Sequence, residues 1–403
     1  MPPPNRSEAL LALSLWIMEK GVQGVGFDEL LEGLSRQLLD AGIPVLRVNT
    51  AYRALHPVFG AVSHRWHKHR GTEREIFTRS ATPSEMWLKS PIYHMLDQNV
   101  LEFRADPTDP ATQDRFPVLG DFHKEGATDY FVLSKVFGPN PERSVENPGE
   151  GLTISVTSDA PGGFSDQDIT DLKGLLPVIA ISLHAGSNRQ MTVDLLSVYL
   201  GEDASLRVMS GEIDRGSTEE IGAVVLLYDL SGFTKLSETL DGPDIIEMLN
   251  SYFGMVVREV EQAGGNVLKF MGDGMLAVFA HDPEAEAGRI ALDSIQAIRR
   301  GMQTLNAERA AAGLTTTGCT MALHAGDVLY GNIGGETRLD FTVIGPAVNT
   351  TARIAGMCDP LDQRVVVSDR VARPWVDKRA DLVSLGAYRL RGVTERVELY
   401  TLD

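Results

Sequence analysis

At 403 residues the chain exceeds one ordinary core, since domains run to about 100–200 residues, and the sequence predicts two or three domains. With 43% hydrophobic and 23% charged residues it has the composition of a folded globular protein, not of a disordered or fibrous one. A net charge of −18 excludes broad electrostatic binding to nucleic acid or to an anionic membrane, both of which need a positive surface, but leaves room for a nucleotide held by a few cations.

In chain order, "SEALLALSLWIMEKG" and "FDELLEGLSRQLLDAG" carry apolar residues at helical spacing and end on glycine, so two helices are expected to lead. "VLRVNTAYRAL" and "GAVSHRWHKH" read as strands, and "RADPTDPATQDRFP" reads as a loop. His64, His67 and His69 invite a metal or haem reading. On a strand, however, His67 and His69 share one face and His64 takes the other, with no carboxylate or thiolate converging, so an exposed polar edge is expected.

"DYFVLSKVFG" and "GLTISVTSD" read as adjacent strands joined by the polar loop "PNPERSVENPGE". A long helix follows, opened by Ser165 as a cap. This order of strand, "SDAPGGFSDQDI" and long helix resembles the end of a GAF-type sensor domain. The resemblance implies an α+β sensor over residues 1–190 whose ligand the sequence does not name. Residues 191–217, "QMTVDLLSVYLGEDASLRVMSGEIDRGST" in the main, read as a helical stretch broken at Gly-Glu-Asp: a signalling linker or a spacer packed on one domain.

From residue 218 to 403 the rhythm is cleaner. "IGAVVLLYDL" is a strand without alternation, hence buried on both faces. "SGFTKLSETL" begins a helix, and a longer amphipathic helix has Pro243 in its first turn and Gly264 and Gly265 after its end. "NVLKFM" and "GMLAVF" form a hairpin across Gly-Asp-Gly. After a helix from about Glu284 to Ala311 come the strand "TGCTMALHAG", the hairpin arm "DVLYGNIGG", the strand "RLDFTVIG", the helix "AVNTTARIAGMC" and three short strands. This β-α-β-β-α-β order describes a ferredoxin-like α+β sandwich. Cys319 and Cys358 are too few for a disulfide framework and fit a reducing compartment. No apolar run reaches the ~18–20 residues of a membrane span, so a cytoplasmic protein without membrane insertion is expected.

Asp229 ends the buried strand and Asp273 lies in the neighbouring hairpin tip, so their carboxylates can converge at one end of the sheet as a divalent-cation site. Taken singly, each also suits a turn. "LLYDLSGFTKLSE", "LKFMGDGMLAVF", "GNIGGETRLDFTVIGPAVNTTARI" and "LRGVTERVELY", in this order, resemble the catalytic domain of class III adenylate and guanylate cyclases. The resemblance implies that Asp229, Asp273 and the carbonyl of Leu230 hold two Mg²⁺ or Mn²⁺ ions. It implies that Lys269 and Thr342 read the base, with Lys favouring ATP over GTP because an ammonium donates to N1 of adenine but meets N1–H of guanine. Asn349 and Arg353, four apart on one helix face, match the pair that orients the ribose and stabilises charge on the α-phosphate. Arg391 matches a contact to the terminal phosphates, with Arg389 and Arg396 as competitors, and Phe233 and Thr234 match substrate-binding positions.

Pro346 stands where the family often has an acidic residue, and "NTTAR" has Thr where small apolar residues are frequent; neither removes a catalytic group. The implied protein is an adenylate cyclase forming 3′,5′-cyclic AMP and pyrophosphate, active as a homodimer with two composite sites. The alternatives are a guanylate cyclase, which conflicts with Lys269, and a catalytically silent nucleotide-binding module.

Overall fold

The computed structural model describes residues 5–53, 56–79, 82–137, 151–280 and 284–403. They fall into two compact units, Met1–Leu195 and Leu196–Asp403. The polar loop expected at 139–150, and the end of the first expected strand at 54–55, lie outside the described residues.

The first unit contains strands β1 (Val45–Arg53), β2 (Phe59–His67), β3 (Gly71–Thr78), β4 (Glu102–Ala105), β5 (Asp129–Val136) and β6 (Gly151–Ser158), in the order β3-β2-β1-β6-β5-β4. Helices Arg6–Gln23, Phe27–Asp40 and Asp166–Leu200 share one core with one face of that sheet, through Leu13, Ile17, Leu31, Leu34, Val48, Val156, Leu175 and Ile179. The first helix starts where Asn5 accepts from the Ser7 N–H and Glu8 reaches back to the Asn5 N–H, a reciprocal cap. The other sheet face meets Met95, Phe116 and Leu119 from short helices around Pro91–Asp97 and Pro117–Lys124.

Two expectations fail here. The segment read as a loop contains the end of β4 and a helix, Pro110–Arg115, because the Asp109 carboxylate accepts from the N–H groups of Ala111 and Thr112 and Pro110 is pre-set for a first helical turn. Of the three histidines only His69 is exposed: β3 pairs outside β2, which is therefore not the sheet edge, and His64 and His67 are buried on its faces. His64 stacks on Phe27 and its Nδ1 lies 2.8 Å from Asp28 Oδ1. Among the described residues one helix, Asp166–Leu200, is long and apolar enough by length and composition to cross a membrane; Leu172, Leu175, Ile179 and Leu183 on it are buried in the unit's core.

The second unit contains β7 (Thr218–Leu230), β8 (Asn266–Met271), β9 (Gly274–Phe279), β10 (Cys319–Gly334), β11 (Leu339–Ile344), β12 (Val365–Ser368), β13 (Leu382–Arg389) and β14 (Arg396–Leu402). Its sheet runs β13-β14-β12-β10-β7-β9-β8, with β11 paired to β10. The run β10-β7-β9-β8, with helices Gly242–Gln262 and Glu284–Ala311, is the expected ferredoxin-like α+β core. Met248, Tyr252, Val256, Ala291, Ile295 and Ile298 from the two helices pack on Val224, Leu226, Tyr228 and Phe279, all buried. β12, β13 and β14 extend the sheet beyond β10.

The stretch expected as a strand followed by a separate hairpin arm is one continuous strand, β10, because β7 is long enough to pair with it from Cys319 to Gly331. The segment expected to link domains continues the helix to Leu200, breaks at Gly201 and resumes as Glu202–Ser210. Ala204 of that second helix packs with Ala223, Leu268 and Val328, and Asp203 accepts a 2.6 Å hydrogen bond from the Tyr330 hydroxyl, so this part is built onto the second unit.

Candidate active site

Alternation along β7 sends Val224, Leu226, Tyr228 and Leu230 into the helix-covered core and therefore turns Asp229 to the opposite face. There Asp229 pairs in register with Gly274 of β9. A Cβ at position 274 would lie 2.9 Å from Asp229 Oδ1, so a glycine is what lets the carboxylate sit over the hairpin. Gly272 takes the left-handed conformation of the two-residue turn (φ 68°), and Asp273 does not, which removes the conformational reason for an Asp at 273. The Asp273 carbonyl accepts from the Leu230 N–H at 3.3 Å, tying the hairpin tip to the end of β7.

Burial by the flanking strands raises the Asp229 carboxyl above its ordinary range, and the charges of Asp273 and then Asp359 raise it further. Among the described residues no Lys or Arg forms an ion pair with Asp229 or Asp273. Two mutually repelling carboxylates without a counter-cation suit a divalent ion, which prefers hard oxygen ligands and relieves the repulsion. No group of three or more His, Cys, Asp or Glu side chains converges among the described residues, so a cation between the two aspartates would take its further ligands from backbone carbonyls, water or substrate oxygens. Asp359 follows the buried Cys358 and carries no motif that sequence reading could have used.

Lys269 lies three residues before Gly272 of the turn, opposite Leu276, whose side chain packs on the same sheet face as Asp229. Its Nζ is 3.1 Å from Asp340 Oδ2. Asp340 was not anticipated, though it alternates with Thr342 onto one face of β11. Thr342 is 5% exposed and its hydroxyl has no partner among the described residues. Asn349 and Arg353 are both exposed on the helix Pro346–Ala355, which packs through Ala347 on this same side of the sheet. Thr234 is exposed in the short helix Phe233–Thr239, whereas Phe233 is partly buried and packs against the core. Arg391 sits in the turn between β13 and β14, and Arg389 and Arg396 face each other across those strands; all three are exposed.

The family model of the adenylate and guanylate cyclase catalytic domain matches residues 216–403. The second unit belongs to this cyclase family. An adenylate cyclase of Anabaena cylindrica is 28% identical over 162 residues, 40% of this chain and 32% of the relative. An uncharacterized protein of Mycobacterium tuberculosis is 29% identical over 213 residues, 52% of this chain and 36% of the relative. The match thus spans only 32–36% of the length of these curated relatives. Among solved structures, the adenylyl cyclase CyaB from P. aeruginosa is similar at a TM-score of 0.42 and 25% identity, covering 46% of this chain and 96% of that one. A bacterial light-regulated adenylyl cyclase is similar at a TM-score of 0.48 and 19% identity, covering 63% of this chain and 83% of that one.

Proposed function

We propose that the cyclase unit converts ATP to 3′,5′-cyclic AMP and pyrophosphate. The observation that carries this reading is the placement of Asp229 and Asp273 at one end of the sheet, electrostatically coupled and without a counter-cation, on the face that also bears Lys269. Two Mg²⁺ or Mn²⁺ ions held by Asp229, Asp273 and the Leu230 carbonyl would supply Lewis-acid activation of the ribose 3′-hydroxyl and charge neutralisation on the triphosphate. Asn349 orients the ribose, and Arg353 stabilises the charge that develops on the α-phosphate as the 3′-oxygen attacks in line. Arg391 holds the terminal phosphates, and Phe233 and Thr234 line the triphosphate through the chain around their helix start.

Lys269 donates to adenine N1, and the Thr342 hydroxyl accepts from the 6-amino group; Asp340 restrains the Lys269 ammonium. Support for ATP over GTP is the chemistry of Lys269. Guanylate cyclase is the second reading, and a silent signalling module the third. One chain carries the acidic pair and the base-reading set, which in the resembling family come from opposite partners. A homodimer with two composite sites therefore follows, so that one hairpin serves two sites, Asp273 in one and Lys269 in the other. The first unit acts as a regulatory domain by shifting how the two cyclase units meet.

The deciding assay supplies ATP or GTP with Mg²⁺ or Mn²⁺ and measures cyclic nucleotide for the parent, Asp273→Ala and Lys269→Glu. Cyclic AMP from the parent, its loss in Asp273→Ala and a shift toward GTP in Lys269→Glu are expected; Asp273→Ala working at the parent rate would overturn the metal assignment.

A further inference from the structure

On the first unit, the sheet face opposite the three long helices carries polar side chains where a core would place apolar ones. Strand register sets His67, Arg47, Thr157 and Tyr130 side by side on β2, β1, β6 and β5. Their exposures are 6%, 7%, 1% and 3%, so all four are buried. The Arg47 guanidinium lies 4.3 Å from the centre of the Phe122 ring, yet has no hydrogen bond or ion pair among the described residues. Burial and then the nearby Arg65 bring its pKa down to about 10, the mark of a cation without a counter-ion.

The neighbouring atoms are donors without acceptors. His67 Nδ1 accepts from the His69 N–H at 3.2 Å, so the neutral ring carries its proton on Nε2, and that atom is buried without a hydrogen-bond partner. Glu125 Oε2 stands 3.9 Å from it, beyond hydrogen-bond reach, because Glu125 is engaged by Arg70 at 2.6 Å. The Thr157 hydroxyl is likewise buried and unpartnered. Two buried polar atoms left without partners are each unfavourable, as is a cation on a residue only 7% exposed with no counter-ion, and a water would satisfy the hydrogen bonds without neutralising the guanidinium.

We propose that Arg47, His67 and Thr157 form a binding site for a small oxyanion, a ligand presenting a carboxylate or a phosphate group. Both chemistries match a fork of guanidinium N–H groups flanked by an imidazole N–H and a hydroxyl. Glu125 competes as the nearest anion, and its pairing with Arg70 at the rim keeps it off Arg47.

The test titrates the full chain with sodium phosphate and, separately, sodium acetate at constant ionic strength, by calorimetry and by the shift of its thermal unfolding. Saturable binding of either is expected, and which of the two binds identifies the ligand's acidic group. Arg47→Met should weaken binding at least ~100-fold, the scale of losing a buried charge-assisted contact. Glu125→Gln should tighten it, a gain that a misfolded variant cannot imitate. No saturable binding of either anion, equal binding by Arg47→Met, or a binding event lost only in Arg391→Ala of the cyclase unit would each overturn the proposal.

Discussion

Lys269 Nζ sits 3.1 Å from Asp340 Oδ2, so β8 and β11 are joined by an ion pair directly beside the position of Thr342. Both partners are partly exposed, and such pairs contribute about 0–1 kcal/mol, too little for the contact to matter to the fold. Its consequence lies in aiming the ammonium. Asp340→Ala is therefore expected to leave the unfolding midpoint within a degree or two of the parent, by about 0.5 kcal/mol, while raising KM for ATP more than it lowers kcat. Steady-state kinetics beside a thermal melt check this.

Thr342 offers a complementary separation of reading from folding. Its buried hydroxyl lacks a partner, so Thr342→Val removes an unsatisfied polar atom and is expected to hold or raise stability. If the hydroxyl accepts from the adenine amino group, the same substitution lowers the ATP-over-GTP ratio of kcat/KM by roughly tenfold, about 1.4 kcal/mol of discrimination. An unchanged ratio would remove Thr342 from base recognition.

Asp229 is held against its own charge. Its carboxyl is raised by burial and by Asp273, so in the absence of added metal the ionised form opposes folding and the neutral form does not. Asp229→Asn is expected to raise the melting temperature measured in chelator and to abolish the extra stabilisation that Mg²⁺ or Mn²⁺ gives the parent, with activity lost. For the same reason metal affinity of the parent should fall as pH drops, because protons compete for the raised carboxyl.

Arg353 is exposed and makes no ion pair or hydrogen bond among the described residues, so its removal costs the fold little. Arg353→Ala is expected to lower kcat by ~10²–10³ with a smaller change in KM, the pattern of a contact made to the transition state. An equal effect on KM alone would make it a ground-state phosphate contact instead.

His324 is buried on β10, with Nδ1 2.9 Å from the Ser368 hydroxyl, and burial lowers its pKa to about 4 from 6.5. The unfolded chain takes up the proton first as pH falls, so the stabilising contribution is complete above pH 6.5 and is lost progressively toward pH 4. The loss is on the order of 3 kcal/mol. Denaturant melts across this range should show it, and His324→Gln should flatten the slope.

Much of the cyclase unit was legible in the sequence because its signals are local. The Gly272–Asp273 turn, the capped helix Gly242–Gln262 with Pro243 in its first turn, and the unbroken apolar run of β7 each follow from the conformational preferences of a few adjacent residues. The candidate site residues were legible for a different reason: a motif places residue types in order, whatever surrounds them.

Burial, partners and strand length were decided by pairings between residues far apart in the chain. The Phe27 ring stacks on His64 and Asp28 meets its Nδ1, and no feature of "HRWHKH" announces those neighbours from the helix Phe27–Asp40. β7 draws β10 out as one strand of 16 residues where the local sequence suggested two. Asp340 meets Lys269 only when β11 comes beside β8, and Asp359 comes to bear on Asp229 only when the turn after Pro346–Ala355 approaches the end of β7. The sequence by itself determined which groups are present and which short segments turn, coil or extend. The tertiary structure decided which of those groups are left charged, buried and without a partner, because solvation and electrostatic coupling depend on what lies nearby in space and not on what lies nearby in the chain.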